Sequence, residues 1–154
     1  MIKPKPPTDL LEHLNLQTSA RVLDVGGGTG RIALELVPHA GSVTILDLSP
    51  KMLREASRKP GLNGVLAPSE KLPYPDGSFD AVLMVDALHH VINQKASLQE
   101  LFRVVKPGGR LVVEEPDINT FVVKLIALGE KLAGMRSHFL TGEDDCYIPG
   151  CRPI

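Results

Sequence analysis

Aromatic residues are scarce, 4% of the chain, and tryptophan is absent. That weighs against a surface that binds single-stranded nucleic acid by stacking bases on aromatic rings. An excess of one charge is also lacking. The formal net charge is −1, with no basic run, so nucleic acid is not an expected partner. No stretch approaches the roughly 20 apolar residues that cross a bilayer, and no membrane span is expected. The opening segment, Met1 to Pro7, holds prolines and lysines but no apolar run. It does not read as a signal peptide, and the cytoplasm is the expected compartment. There are only two cysteines, Cys146 and Cys151. A bond between them would close a very small loop, and two ligands alone make no zinc site, so two free thiols and no metal are expected.

What the chain does contain is ordinary globular material. Its 154 residues are 43% hydrophobic and 23% charged, enough for one domain with a real core. The pattern alternates strand and helix. Strands are expected at Arg21–Val25, Val43–Leu46 closing at Asp47, Val65–Ala67, Phe79–Val85 and Arg110–Glu114. A helix is expected after Thr8, another from about Thr29, and a third from Ser49-Pro50, an N-cap hydroxyl followed by a first-turn proline. Ser97 and Glu100 have capping-box spacing for a helix through Val105. Apolar residues at 118, 121, 122, 125, 128 and 132 predict a further helix over residues 117–133. After Gly134 the periodicity fails. The expected division is therefore a domain over 1–134 and an irregular lid or tail over 135–154.

The stretch with the most chemical content is Ala20 to Gly30, Ala-Arg-Val-Leu-Asp-Val-Gly-Gly-Gly-Thr-Gly. It reads as a strand, a tight turn that lets a ligand approach the main chain, and the start of a helix. The dinucleotide fingerprint G-x-G-x-x-G fails, because Arg31 stands where the third glycine would be. That disfavours an NAD-dependent oxidoreductase. The spacing present is G-x-G-x-G, with an acid, Asp24, two places before it. In a parallel sheet this turn, Asp47, the segment Ala67–Glu70 and the segment Asp86–His90 all follow strands, so they converge on one rim.

At these residues the chain resembles the class I S-adenosylmethionine-dependent methyltransferases, and more closely the type-11 methyltransferase domain related to the ubiquinone and menaquinone biosynthesis enzymes. The resemblance runs in order through Val22–Gly30, Asp47 with Ser49–Leu53, Glu70–Asp80, Leu88–His90 and Arg103–Leu111. It implies a three-layer Rossmann-like α/β fold with a mostly parallel sheet of about five strands in the order 3-2-1-4-5. It implies S-adenosyl-L-methionine as cofactor and methyl transfer to a small or medium-sized acceptor.

Carried over residue by residue, Asp24, Gly26 and Gly28 would hold the methionine end, Asp47 both ribose hydroxyls, and Gly27 and Gly30 would belong to the same cofactor site. Leu48, Met52, Ser69, Glu70 and Asp86 would complete the cofactor site. Many members place an Asp where this chain has Pro68. Proline has neither an acceptor side chain nor an N–H, so adenine would rest on backbone groups such as the Ser69 N–H and on Leu48 and Leu66. Asp86, His89 and His90 are the candidate bases. The family sheet continues past the fifth strand into antiparallel strands. Here these are expected to be missing, which would leave the fifth strand as an open edge for a homodimer. The alternative function is a cofactor-binding module with catalysis lost through that truncation.

Overall fold

Alternation along the strands decides which side of the sheet each side chain faces. Val22, Ala81, Leu83 and Val112 join one buried cluster, whereas Leu23, Val25, Val82, Met84, Leu111 and Val113 join another. Strands buried on both faces need cover on both faces, and the helices supply it. The structure, a computed structural model, describes residues 8–116, 121–127, 138–140 and 145–147. Its elements are α1 (Thr8–Leu14), β1 (Arg21–Val25), α2 (Arg31–Leu36), β2 (Ser42–Asp47), α3 (Pro50–Ala56), β3 (Leu62–Leu66), β4 (Phe79–Val85), α4 (Gln94–Val104), β5 (Val105–Pro116), β6 (Phe121–Ala127), β7 (His138–Leu140) and β8 (Asp145–Tyr147). Short 3-10 turns occupy Val37–His39 and Leu88–His90. Residues of α1, α2 and α3 pack on the Val22 face, and residues of α4 on the Leu23 face.

The main sheet runs β3-β2-β1-β4-β5-β6. β1 to β5 are parallel, as expected from the alternation and the resemblance. The turn after β1 therefore lies beside the ends of β2 and β4, at the place where strand order reverses. The α3 cap is as the sequence predicts: Ser49 Oγ accepts from Met52 N at 3.3 Å, with Pro50 in the first turn.

Three expectations are corrected. Residues 121–127 form a strand, not part of a helix, and this β6 pairs antiparallel with β5 from Arg110↔Ala127 to Pro116↔Phe121. An antiparallel strand is therefore present, and β5 is not the open edge on which a homodimer was expected. The physical reason lies in the segment Phe-Val-Val-Lys-Leu-Ile-Ala. Short apolar runs satisfy helical and strand spacing alike, and β-branched residues beside an unpaired neighbour favour the strand. Second, β7 and β8 pair antiparallel within the 135–154 region expected to be irregular. The rest of that region, with Cys151, lies outside the described residues. Third, the cap of α4 is Asn93, whose Oδ1 accepts from Ala96 N at 3.0 Å. Ser97 and Glu100 do other work.

Lys106 to Gly109 bulge within β5. Phe79 pairs with Val105 and Ala81 with Arg110, so these residues all stand opposite Asp80, and Lys106 Nζ bonds Asp80 Oδ1 at 2.7 Å.

Arg103 fastens the β3–β4 connection to α4. Its guanidinium grips Glu100 through two 2.7 Å bonds and donates to the carbonyls of Tyr74 (2.7 Å) and Leu72 (3.1 Å) and to Asp76 Oδ1 (3.0 Å). The Arg103 bond holds the Glu100 carboxyl below its ordinary range, and Leu72 N–H adds to this. A depressed carboxylate contributes stability above its unfolded value of 4.5 that is lost as pH falls through the folded one. Arg103→Ala is expected to lower unfolding free energy by roughly 2 kcal/mol at pH 7, since it strands several acceptors at once. Urea denaturation measures this. An unchanged midpoint would show that the clamp contributes nothing.

Candidate functional site

The glycine turn is built by its neighbours. Gly26 N donates to Leu46 O at 2.7 Å, tying the end of β1 to the end of β2. A Cβ on Gly26 would stand 2.6 Å from the Ala87 Cβ. The turns after β1 and β4 therefore touch, and only the missing side chain permits it. Asp47 closes the other side: its Oδ2 accepts from Gly28 N at 2.9 Å and its Oδ1 from Ser49 N at 2.8 Å. Both carboxylate oxygens keep a second lone pair for a ligand. Lys59 Nζ donates to Thr29 O at 2.5 Å. This tie to the glycine turn was missed, because Lys59 lies 30 residues from Thr29 and no local pattern links them.

Asp24 lies beneath the turn rather than beside it. It is 2% exposed, and its Oδ2 has no hydrogen-bond partner among the described residues. The Cβ position of Gly27 is 2.7 Å from that oxygen. Burial, and next the charge of Asp47, push the carboxyl from 3.8 up to about 7, against a smaller opposing pull from Arg31.

Beyond Asp47 the rim turns apolar. Leu48, Met52 and Leu66 are exposed at 67%, 40% and 58%, and Asp47 and Leu66 are register partners. Three large apolar side chains facing water beside one carboxylate suit a ligand with a flat ring and a polar sugar. Pro68 is exposed next to them. The Ser69 hydroxyl points away from this rim. It is buried against Ser97, with the two Oγ atoms 2.6 Å apart. Glu70 is likewise engaged, accepting from Ser69 Oγ at 3.3 Å and from Asn93 N at 3.4 Å. These bonds hold the two loops together. Ser97 and Asn93 were missed because their partners are 28 and 23 residues away in sequence.

After β4, Asp86 takes a left-handed conformation with φ +56°, and its N–H donates to Glu114 O at 2.8 Å. Asp86, His89 and His90 are all exposed, and the two imidazole rings lie 3.9 Å apart. All three candidates thus stand on the same rim as the glycine turn. Among the described residues no cluster of His, Cys, Asp and Glu could hold a metal ion, and no helix is long and apolar enough to cross a membrane. A cavity of about 340 Å³ opens at the opposite ends of the strands, lined by Leu14, Asn15, Lys106 and Arg110 among others. It is remote from the glycine turn and from every residue of the rim.

Comparison with known proteins follows this geometry. A family described as "methyltransferase domain" matches residues 23–113, from β1 into β5. The ubiquinone/menaquinone biosynthesis C-methyltransferase UbiE of Geotalea daltonii is 35% identical over 123 residues, covering 73% of this chain and 52% of the relative. The chain thus spans about half the length of that curated relative. Among solved structures, YcgJ protein from Bacillus subtilis superposes with a TM-score of 0.67 at 28% identity, over 69% of this chain and 48% of that one. The [4+2]-cyclase SpnF gives 0.65 at 32% identity, over 70% and 43%. A match that begins inside β1, contains the glycine turn and Asp47, and extends into β5 places the chain in the methyltransferase domain family.

Proposed function

We propose that the rim binds S-adenosyl-L-methionine and that the protein transfers a methyl group from it, by in-line displacement, to a small or medium-sized acceptor. The observation that carries this reading is Asp47. Its carboxylate is locked by Gly28 N and Ser49 N beside the exposed Leu48, Met52 and Leu66. A fixed carboxylate with spare lone pairs suits a ribose diol, and the apolar side chains suit adenine. The residues fit the cofactor on a second count: the glycine turn brings main chain close to whatever lies above it, with Asp24 beneath. When bound, the cofactor's sulfonium supplies a methyl carbon already activated for displacement.

The chain's own part is to hold and orient. Asp47 fixes the sugar. Gly26 and Gly28 admit the methionine end, and Asp24 supplies the nearby negative charge for its amino group. Displacement at a methyl carbon needs alignment and water exclusion more than a nucleophilic side chain. Where the acceptor must lose a proton, Asp86, His89 and His90 are the groups on hand. The acceptor atom, whether oxygen, nitrogen or carbon, is left open by these residues.

Asp47→Ala is expected to weaken S-adenosylhomocysteine binding roughly 10- to 100-fold, by the loss of charge-assisted bonds to the sugar. Calorimetric titration reads it. Wild-type affinity in the variant would sink the assignment of Asp47. A second reading, a cofactor-binding module without methyl transfer, is favoured by the [4+2]-cyclase among the neighbours, because one fold hosts several chemistries. Labelled cofactor offered with a panel of acceptors separates the two. Transfer of label supports the first reading, and binding without transfer supports the second.

A further inference from the structure

Asn93, Ser97, Glu100 and Arg103 recur every three or four residues, so they line one stripe along α4 and its cap. This polar stripe is not a solvated face. Ser97 is wholly buried. Each member of the stripe meets the segment 69–77: Ser97 holds Ser69, Asn93 holds Glu70, and Glu100 Oε2 accepts from Leu72 N at 2.7 Å. Arg103 binds Leu72, Tyr74 and Asp76, and its own carbonyl accepts from Gly77 N at 2.9 Å. The segment is zipped along the length of α4.

The position of the zip's first teeth gives it a meaning beyond packing. Ser69 and Glu70 follow Pro68, directly after the exposed Leu66 end of β3, on the side where the proposed adenine would lie. Asn93 ends the loop that carries His89, His90 and the 99% exposed Ile92, on the side of the candidate bases. Glu70 spans the two, with one carboxylate oxygen on Ser69 Oγ and the other on Asn93 N. Ser97 anchors Ser69 from below.

We infer that Glu70 and Ser97 are positioning residues that latch the base-side loop, residues 88–93, to the cofactor-side loop, residues 67–71, so that a ligand which orders the second also orders the first. This deepens the cofactor reading above and rests on it. Linkage makes the effect reciprocal: whatever fixes 88–93 tightens the cofactor. The latch gives Ser69 and Glu70 a role that needs no direct contact with the cofactor.

The test is hydrogen exchange on the full chain with and without saturating S-adenosylhomocysteine. In the wild type the ligand slows exchange at residues 26–30 and, by about fivefold or more, at residues 88–93. Glu70→Ala and Ser97→Ala keep the first response and lose the second. Glu70→Gln keeps both, since its amide offers an acceptor to Asn93 N–H and a donor to Ser69. Should the buried Ser97→Ala fail to fold, the partly exposed Glu70 pair carries the test. Protection confined to residues 26–30 in the wild type, or an undiminished response at 88–93 in Glu70→Ala, overturns the latch while leaving the cofactor reading intact. No ligand-induced protection anywhere in the wild type overturns the cofactor reading and the latch with it.

Discussion

Asp24→Asn is expected to stabilise the protein at pH 8 and to destabilise it at pH 4. The carboxyl is fully buried, its Oδ2 has no partner among the described residues, and it is raised from 3.8 to about 7 by burial first and by Asp47 second. The folded chain therefore holds this proton more tightly than the unfolded chain does. Below pH 3.8 both states are protonated and the site costs nothing. Between 3.8 and about 7 the unfolded state has released its proton and the folded state has not, so stability falls by about 1.4 kcal/mol per pH unit. Above that window the penalty is constant, on the order of 4 kcal/mol. Asparagine removes the charge but leaves a buried amide that needs partners, so a net gain of about 2 kcal/mol at pH 8 is the expected result. Urea denaturation at several pH values measures it. A difference between variant and wild type that stays flat from pH 4 to 8 would show that Asp24 does not titrate in this window.

On the proposed reading the same variant binds S-adenosylhomocysteine more weakly, because a charge facing the amino group is gone. A fold that keeps an ionisable group under its ligand turn at a cost in stability is trading stability for binding. On that reading the ammonium of the bound ligand lies near Asp24, and saturating ligand is expected to move the wild-type pH transition downward.

Gly27→Ala has the second large effect, on binding and folding together. Its Cβ would stand 2.7 Å from Asp24 Oδ2, 2.8 Å from Asp24 Cγ and 2.9 Å from Ile45 Cγ2. Neither neighbour can give way easily, since Ile45 is 0% and Asp24 2% exposed. The turn must lift instead. We expect a loss of about 1–3 kcal/mol in stability and roughly 100-fold or more in S-adenosylhomocysteine affinity, on the order of 3 kcal/mol. Gly28→Ala is the control for the stability effect. Nothing lies within 4 Å of its Cβ position, and only its φ of +55° opposes the change, for about 1 kcal/mol. Equal losses of stability from the two substitutions would mean that crowding over Asp24 is not what Gly27 relieves.

How legible each part was depends on the range of the forces involved. The β1 turn, the Ser49-Pro50 start of α3 and the strands around Val22, Ile45 and Val82 are set by bonds and periodicities within a few residues, and these read correctly. The turn after β1 and the acid after β2 were placed on one rim because parallel strands all end there. Ser97 and Glu100 misled because a capping box and a polar stripe share the same spacing. Their distinguishing feature is the chain 28 residues upstream that packs on them. Phe121–Ala127 misled because its apolar spacing suits two structures, and an adjacent strand decided between them.

The sequence by itself determined the element order, the G-x-G-x-G turn with acids before and after it, and hence the family. Each depends on local dihedral preference and short-range hydrogen bonding, which neighbouring residues encode. Only the tertiary structure decided that Asp24 is buried and raised, that Ser69 faces inward, that Glu70 bridges two loops and that β5 is covered. Those properties come from desolvation and packing. Both are fixed by residues brought together from far along the chain, which no local pattern carries.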